Sequence, residues 1–406
     1  METVDIQVYM EDIMESYGYL LDIALILIST KVLGIATKKF QLPQVVGALL
    51  AGIVLGPAVL NILQETDFLV QLSEIGVIVL MFSAGLEADL QELKKTGKAS
   101  FIIALFGVIV PLLGGIAVGY IFNKDSIIAN DAGASILLQN IFIGIILTAT
   151  SVSITVEALK EMKKISTPAG NAILGAAIID DILGIVALTI ITSLTDASVS
   201  IVVVLLKIVA FFVCALIAGF VFFKLMKFLC NRYHRDMRRF IILAFTFCLL
   251  MAYCAEEFFG VADITGAFIA GLIISNTERT KYISSRFEVV SYAFLSPIFF
   301  ASIGLKIVLP KMSIGIVMFA VVLTIIAVLT KIVGCGLGAK LCKYTNRESI
   351  QVGVGMVSRG EVALIIASKG QALGLMSSAI LGPIIIVVVI TTVISPILLK
   401  MAFKRG

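Results

Sequence analysis

The sequence predicts an all-α polytopic membrane protein of about thirteen transmembrane helices. Three observations predict it. Hydrophobic residues make up 60% of the 406 residues and charged residues 14%, against about 25% charged in soluble domains. Apolar runs of roughly 18 residues recur along the whole chain, and a run of that length crosses a hydrocarbon core of about 30 Å. Between these runs no stretch of soluble-domain size is left over.

In chain order the segments fall at about 17–37, 43–62, 67–86, 98–122, 136–159, 167–194, 199–230, 238–258, 261–276, 287–309, 312–343, 347–370 and 376–402. The first is too long and wrongly flanked for a cleaved signal peptide. Lys31, only seven residues before Lys38, reads as a residue snorkelling to the interface. Basic residues cluster in alternate connections: Lys38 and Lys39; Lys94, Lys95 and Lys98; Lys160, Lys163 and Lys164; Arg232, Arg235, Arg238 and Arg239. The same alternation continues through Arg279, Lys281 and Arg286, then Lys340, Lys343 and Arg347, then Lys400, Lys404 and Arg405. The opposite loops hold little beyond Lys124 and Lys311, and the N-terminal stretch is acidic. The positive-inside rule then places the N-terminus outside and the C-terminus in the cytoplasm, consistent with an odd number of spans. The net charge of +4 is therefore topological, and no nucleic-acid partner is expected.

The six cysteines lie within or at the ends of apolar segments, without CxxC or metal-ligand spacing, and read as small packing residues. His234, the single histidine, sits in a basic loop. With no Walker loop and no Ser/His/Asp set, the chain carries no sign of covalent catalysis, and neither enzymatic activity nor a resident cofactor is expected.

An internal repeat is visible at an offset of 219 residues. Gly47-Ala-Leu-Leu-Ala51-Gly52 matches Gly266-Ala-Phe-Ile-Ala270-Gly271, and Ser83-Ala-Gly85-Leu86 matches Ser302-Ile-Gly304-Leu305. Small-residue packing motifs also recur by chance in membrane helices. Two matches at one offset, on segments running in opposite directions, favour an inverted-topology repeat, a plan that places broken helices near the midplane. The segments at 136–159 and 347–370 fit that role. The first holds Thr148-Ala-Thr150-Ser151-Val-Ser153-Ile-Thr155; the second holds Gly353, Gly355, Ser358, Arg359, Gly360 and Glu361 inside an apolar run. Backbone unwinds at membrane depth only where protein or water satisfies it. Freed carbonyls and the hydroxyls of Thr148, Thr150, Ser151 and Ser358 would then serve as hard oxygen ligands. Arg359 and Glu361 read as structural charges of the broken helix.

Asp180 and Asp181 stand together in the segment 167–194. One carboxylate at the centre of a membrane helix costs roughly 2.5–3.5 kcal/mol on insertion scales. An adjacent pair points to a cation or proton site rather than a lipid-facing surface. Lys331 lies roughly 18 Å from the inner end of its segment and Asp180 roughly 20 Å from the inner end of its own, at 1.5 Å per residue. Lysine and aspartates thus share a depth. Successive helical residues point about 100° apart, so one aspartate can face the lysine and the other a cavity.

These residues resemble the cation:proton antiporter-2 family. Ala149-Thr-Ser-Val-Ser-Ile-Thr155, Asp180-Asp181, and Gly355-Met-Val-Ser-Arg-Gly-Glu-Val362 carry the likeness. Phe294-Leu-Ser-Pro297-Ile-Phe-Phe-Ala-Ser-Ile-Gly304 and Gln41-Leu-Pro43-Gln-Val-Val-Gly47 extend it over essentially the whole chain. The nearest resemblance is to NapA-type Na⁺/H⁺ antiporters, with Kef and germination antiporters as relatives. It implies the NapA/NhaA-like fold with two broken crossing helices, Asp181 as the main cation and proton carboxylate, and Asp180 paired with Lys331. Transported Na⁺ would sit at Asp180 and Asp181, with Thr150 and Ser151 flanking it. It also implies a homodimer in a cytoplasmic membrane and an elevator mechanism. Its dimerisation domain would be 1–97 and 238–311, its core 98–198 and 312–406, and 199–237 would link them. Kef-type proteins usually carry Gln-Asp at the aspartate pair and a fused nucleotide-binding domain. Asp-Asp here favours Na⁺ or Li⁺ exchange for H⁺, with K⁺/H⁺ exchange as the alternative, and a separate cytosolic regulatory subunit stays open. A Na⁺-coupled organic-solute symporter, a passive channel and an intramembrane aspartyl enzyme are the alternatives. The last needs its aspartates on two separate helices.

Overall fold

The computed structural model describes residues 2–39, 43–88, 90–124, 131–193, 200–232, 238–277, 279–307 and 313–404, with the side chains of all but 2–16, 90, 92–94, 192–193, 230–232 and 361. They form sixteen α-helices, and no strand occurs among the described residues. The helices are α1 (Glu2–Lys39), α2 (Gln44–Leu55), α3 (Asp67–Glu87), α4 (Leu90–Phe122), α5 (Ile136–Thr148), α6 (Val152–Glu161), α7 (Pro168–Ser193) and α8 (Ile201–Arg232). The second half holds α9 (Arg238–Phe259), α10 (Asp263–Ile274), α11 (Thr280–Val290), α12 (Ser296–Leu305), α13 (Ile314–Leu341), α14 (Asn346–Gly355), α15 (Glu361–Ala372) and α16 (Leu381–Lys404). A π-helical turn, Ser291–Leu295, joins α11 to α12. It precedes Pro297, which has no N–H to continue the α-helical ladder.

Among the described residues, ten helical stretches are long and apolar enough to cross a membrane, counting α5 with α6 and α11 with α12 as one stretch each. This is a multi-pass, all-helical membrane protein. Three apolar helices are shorter: Gln44–Leu55, Asp263–Ile274 and Val362–Ala372. The sequence reads spans at 43–62 and, already short, at 261–276, but α2 and α10 have 12 residues each. At 1.5 Å per residue each is about 18 Å long, well short of a hydrocarbon core. Local chemistry sets the limits. α2 stops at Gly56, just before Pro57, and the chain folds back through Asn61 at φ 50°; α10 starts after Gly260 at φ 63°, a conformation glycine adopts at no steric cost.

The chain divides into two compact units. One comprises 1–77 and 289–308, the other 78–288 and 309–406. In the first, α2 lies against α1 and α12. A Cβ on Gly52 would overlap the carbonyl of Ala301, and one on Gly304 would lie 2.5 Å from the Ile53 nitrogen. Ile26, Leu63, Leu69, Ile298, Ala301 and Leu305 form its core.

In the second unit α10 packs on α9 and on the end of α3. A Cβ on Gly271 would overlap the Phe82 carbonyl, and one on Gly85 would overlap that of Phe268. The remainder is a bundle in which α4 runs against α5, α7 and α13, and α16 against α13, α14 and α15. Phe142, Ile146, Phe319, Leu323, Ala327, Ala363 and Val387 lie in its core. Polar caps fix the helix starts that matter for the site. Ser135 accepts the Leu138 N–H for α5, Ser313 that of Ile316 for α13, and Thr345 with Glu348 forms a capping box for α14.

Candidate functional site

Two helices of the second unit are interrupted, and the interruptions meet. Ala149, Thr150 and Ser151 separate α5 from α6, and Met356–Gly360 separates α14 from α15. Backbone freed from two helices must find partners inside the protein at this depth, and each break satisfies the other. The Ser151 N–H donates to the Ser358 carbonyl at 2.7 Å, and the Ser358 hydroxyl donates back to the Ser151 carbonyl at 2.7 Å. Thr155 donates to the Gly355 carbonyl at 2.7 Å and lies 2.8 Å from the Ser358 hydroxyl. Gly360 lets the strands approach this closely, since a Cβ there would lie 2.6 Å from Ser151 Oγ.

Arg359, fully buried, braces the crossing. Its Nη1 donates to the carbonyls of Ala149 and Val357, both at 3.3 Å, and its Nη2 to that of Ala327 on α13 at 3.2 Å. One guanidinium thereby joins both breaks to a third helix. The Arg359 carbonyl in turn accepts from the Thr392 hydroxyl of α16.

Beside this crossing, Lys331 of α13 donates to both carboxylate oxygens of Asp180 on α7, at 2.9 and 3.1 Å. Both residues are buried. A charge pair removed from solvent is tolerable only when geometry and further hydrogen bonds compensate its desolvation. Here the Thr150 hydroxyl lies beside the Asp180 carboxylate. Asp181, the next residue of α7, is half-buried. Gly107 of α4 lies against this cluster and makes room for Cys335, for a Cβ there would lie 2.5 Å from Cys335 Sγ, and 3.6 Å from Lys331 Nζ and 3.8 Å from Asp180 Oδ1 in ordinary contact.

The structure thus brings together Asp180, Lys331, Thr150, Ser151, Ser358 and Arg359. Thr148 is set apart, its hydroxyl bonded at 2.7 Å to the Ile145 carbonyl of its own helix. Thr150, beside Asp180, also makes a long bond, 3.5 Å, to the Met356 carbonyl. The Glu361 side chain lies outside the described residues, and Arg359 is held by carbonyls. Gly107, Cys335 and Thr392 escape sequence reasoning. Each sits in an apolar run with no local signal, and only the packing of α4, α13 and α16 about the crossing brings them in.

Comparison with known proteins identifies the family of the chain. The profile of the sodium/hydrogen exchanger transmembrane family matches residues 24–405. The Na(+)/H(+)-K(+) antiporter GerN of Bacillus cereus is 39% identical over 95% of this chain and 97% of its own length. The Na(+)/H(+) antiporter of Enterococcus hirae is 36% identical over 97% of this chain and 99% of its own. Among solved structures, the sodium proton antiporter MjNhaP1 of Methanocaldococcus jannaschii superposes with a TM-score of 0.66 at 18% identity, covering 97% of this chain and 99% of that one; this likeness concerns the fold. By the family profile and by two near-full-length relatives above 30% identity, the chain belongs to the sodium/hydrogen exchanger family.

Proposed function

We propose that this protein exchanges Na⁺ or Li⁺ for H⁺ across the cytoplasmic membrane, with Asp181 and Asp180 as the shared cation and proton carboxylates. The observation that carries the reading is the buried Lys331–Asp180 pair, 2.9 Å apart, beside half-buried Asp181 and against two meeting helix breaks. Cation and proton compete for the same carboxylates. If only the occupied protein changes access, exchange follows without a direct link between the two ions. When Na⁺ displaces a proton from Lys331 as well as one from Asp181, two protons leave for one cation. That moves one net charge per cycle, worth about 2.3 kcal/mol per 100 mV. Access alternates by elevator motion of the core, 98–198 with 312–406, against a dimerisation domain, 1–97 with 238–311, in a homodimer whose N-terminus is outside.

An inverted repeat underlies this mechanism, and the packing supports it. The Gly52–Ala301 and Gly271–Phe82 approaches differ by 219 in both members, with the partners exchanged, as do Gly304–Ile53 and Gly85–Leu272. K⁺ for H⁺ exchange is the second reading, because the name of GerN includes K⁺.

Reconstitution in liposomes with an imposed pH gradient and a lumenal pH dye tests the proposal. Na⁺ and Li⁺ collapse the gradient with wild type and fail to do so with Asp181→Asn. Collapse by K⁺ alone moves the protein to the second reading. No response to any of the three cations removes both. Lys331→Gln loses the dependence on membrane voltage; full voltage-dependent exchange in that variant refutes the role given to the lysine.

A further inference from the structure

Away from the charged site, α14 and the last turns of α16 enclose a groove of about 420 Å³, lined by Arg347, Ile350 and Val354 on one side and Leu398, Met401 and Ala402 on the other. Its size falls in the range of about 300–1,000 Å³ typical of ligand sites. Five lining residues are apolar and one is a cation. Ile350 and Met401 are more than half exposed, so the apolar groove is open at the surface. Its charged end is built rigidly. Arg347 Nη2 donates to the Phe403 carbonyl at 3.2 Å, and Gln351 Nε2 to that of Ala402 at 3.2 Å. These bonds satisfy carbonyls that the end of α16 leaves without helical partners and fix α14 against α16. They use one of the five donors that the Arg347 guanidinium carries.

In the chain segments that form and flank the groove, basic residues outnumber acidic ones. Lys340 and Lys343 close α13 and its short connection to α14, and Lys400 and Lys404 lie in the last turns of α16. The single carboxylate in these two stretches, Glu348, accepts from both the backbone and the hydroxyl of Thr345 in the capping box. An apolar channel ending in a guanidinium, with lysines nearby in the chain, fits an acyl chain carrying a phosphate. Basic pockets between membrane helices on the cytoplasmic side take anionic headgroups by this logic, and Arg suits phosphate through its planar fork of donors.

We propose that this groove binds an anionic phospholipid of the inner leaflet, with an acyl chain against Ile350, Val354, Leu398 and Ala402 and its phosphate on Arg347. "Inner" rests on the orientation proposed above; the binding itself does not. The site bears on the crossing because Val354 stands two residues before Met356, where the second break begins. A lipid wedged here braces α14, the half-helix whose end carries Gly355 and leads into Ser358 and Arg359.

The test uses the full chain in detergent, with native mass spectrometry and thermal unfolding after addition of phosphatidylglycerol, phosphatidylcholine of the same chains, or inorganic phosphate. On wild type, phosphatidylglycerol forms a persistent adduct and raises the melting temperature, while the other two do neither. Arg347→Gln weakens the phosphatidylglycerol adduct about tenfold, the loss of one charge-assisted contact. Ala402→Leu fills the groove, leaves Arg347 in place, and abolishes the adduct. Equal shifts from phosphatidylcholine overturn the proposal in favour of annular lipid, and equal shifts from inorganic phosphate overturn the acyl part. Undiminished binding by Ala402→Leu places the lipid elsewhere. The wild-type headgroup comparison stands alone should either variant misfold. Asp181→Asn keeps lipid binding, so failure of the lipid site and failure of the exchange reading are distinguishable.

Discussion

Replacing Gly107 by alanine isolates what the α4 backbone contributes to the site. The new methyl would stand 2.5 Å from Cys335 Sγ, while Lys331 Nζ at 3.6 Å and Asp180 Oδ1 at 3.8 Å remain in ordinary contact. Carbon contacts are optimal near 3.5–4.0 Å, so the overlap with sulfur is about 1 Å. Overpacking of this kind costs about 1–3 kcal/mol. Alanine also gains about 1 kcal/mol over glycine in a helix interior. The single variant therefore loses at most about 2 kcal/mol on these two figures, and the informative quantity is its coupling to Cys335. In a Cys335→Ala background the sulfur is gone and only the propensity gain remains, so the same substitution becomes stabilising. Unfolding in one detergent across the four proteins of this cycle measures the reversal, and the Na⁺ concentration for half-maximal exchange reports whether Lys331 and Asp180 have moved. An alanine at 107 that destabilises equally in both backgrounds, within about 0.3–0.5 kcal/mol, refutes the claim that Gly107 exists to seat this cluster.

Lys331→Gln leaves the Asp180 carboxylate buried without its ammonium and costs about 3–5 kcal/mol; adding Asp180→Asn restores most of that stability in the same unfolding assay while removing a carboxylate the proposed exchange needs. Arg359→Lys keeps the charge yet cannot reach the carbonyls of Ala149, Val357 and Ala327 together. It loses two charge-assisted bonds, about 1.5–3 kcal/mol each, and dye-monitored exchange falls with the melting temperature. Gly52→Ala and Gly271→Ala each drive a methyl into a backbone carbonyl, of Ala301 and Phe82 respectively, so both lower the melting temperature, and a neutral result for either refutes the packing described. Asp131, in the connection before α5, is held down to about 2 by the Ser378 side chain first, then by Ser377 and the Ser378 N–H. Its unfolded value is near 3.9, so its contribution is complete above about pH 4 and is lost as pH falls toward about 2. The melting difference between wild type and Asp131→Asn is accordingly flat from about pH 5 to 8 and shrinks in acid.

Much of this site was legible in the sequence because charge is conspicuous at membrane depth. Asp180, Lys331 and Arg359 stand out in apolar runs, and counting residues from the helix ends placed the first two at one depth. Hydroxyls clustered at 148–155 and glycines at 353–360 marked where two helices stop. The roles of individual hydroxyls were not legible. Thr148 and Thr150 differ by two residues and have the same chemistry, yet one turns back on its own helix and the other faces Asp180, an outcome decided by where α5 ends. Helix length failed for a related reason. Composition reports that 43–62 and 261–276 are apolar, whereas Gly56-Pro57 and Gly260 decide that only twelve residues of each are helical.

The environment of Arg359 explains why one break contains a cation at all. α5 and α14 both end at the crossing, so two half-helices present the negative ends of their dipoles there. Ala149 and Val357 lie just past those ends, and both of their carbonyls accept from the guanidinium. The arginine thus neutralises backbone rather than a carboxylate, and Asp180 is left to Lys331. With all four groups ionised, Asp180, Asp181, Lys331 and Arg359 sum to zero. An entering alkali cation adds one positive charge, and arginine cannot release a proton to offset it. Within this set Lys331 is the cation that can, and the proposed exchange requires that property of the residue opposite Asp180.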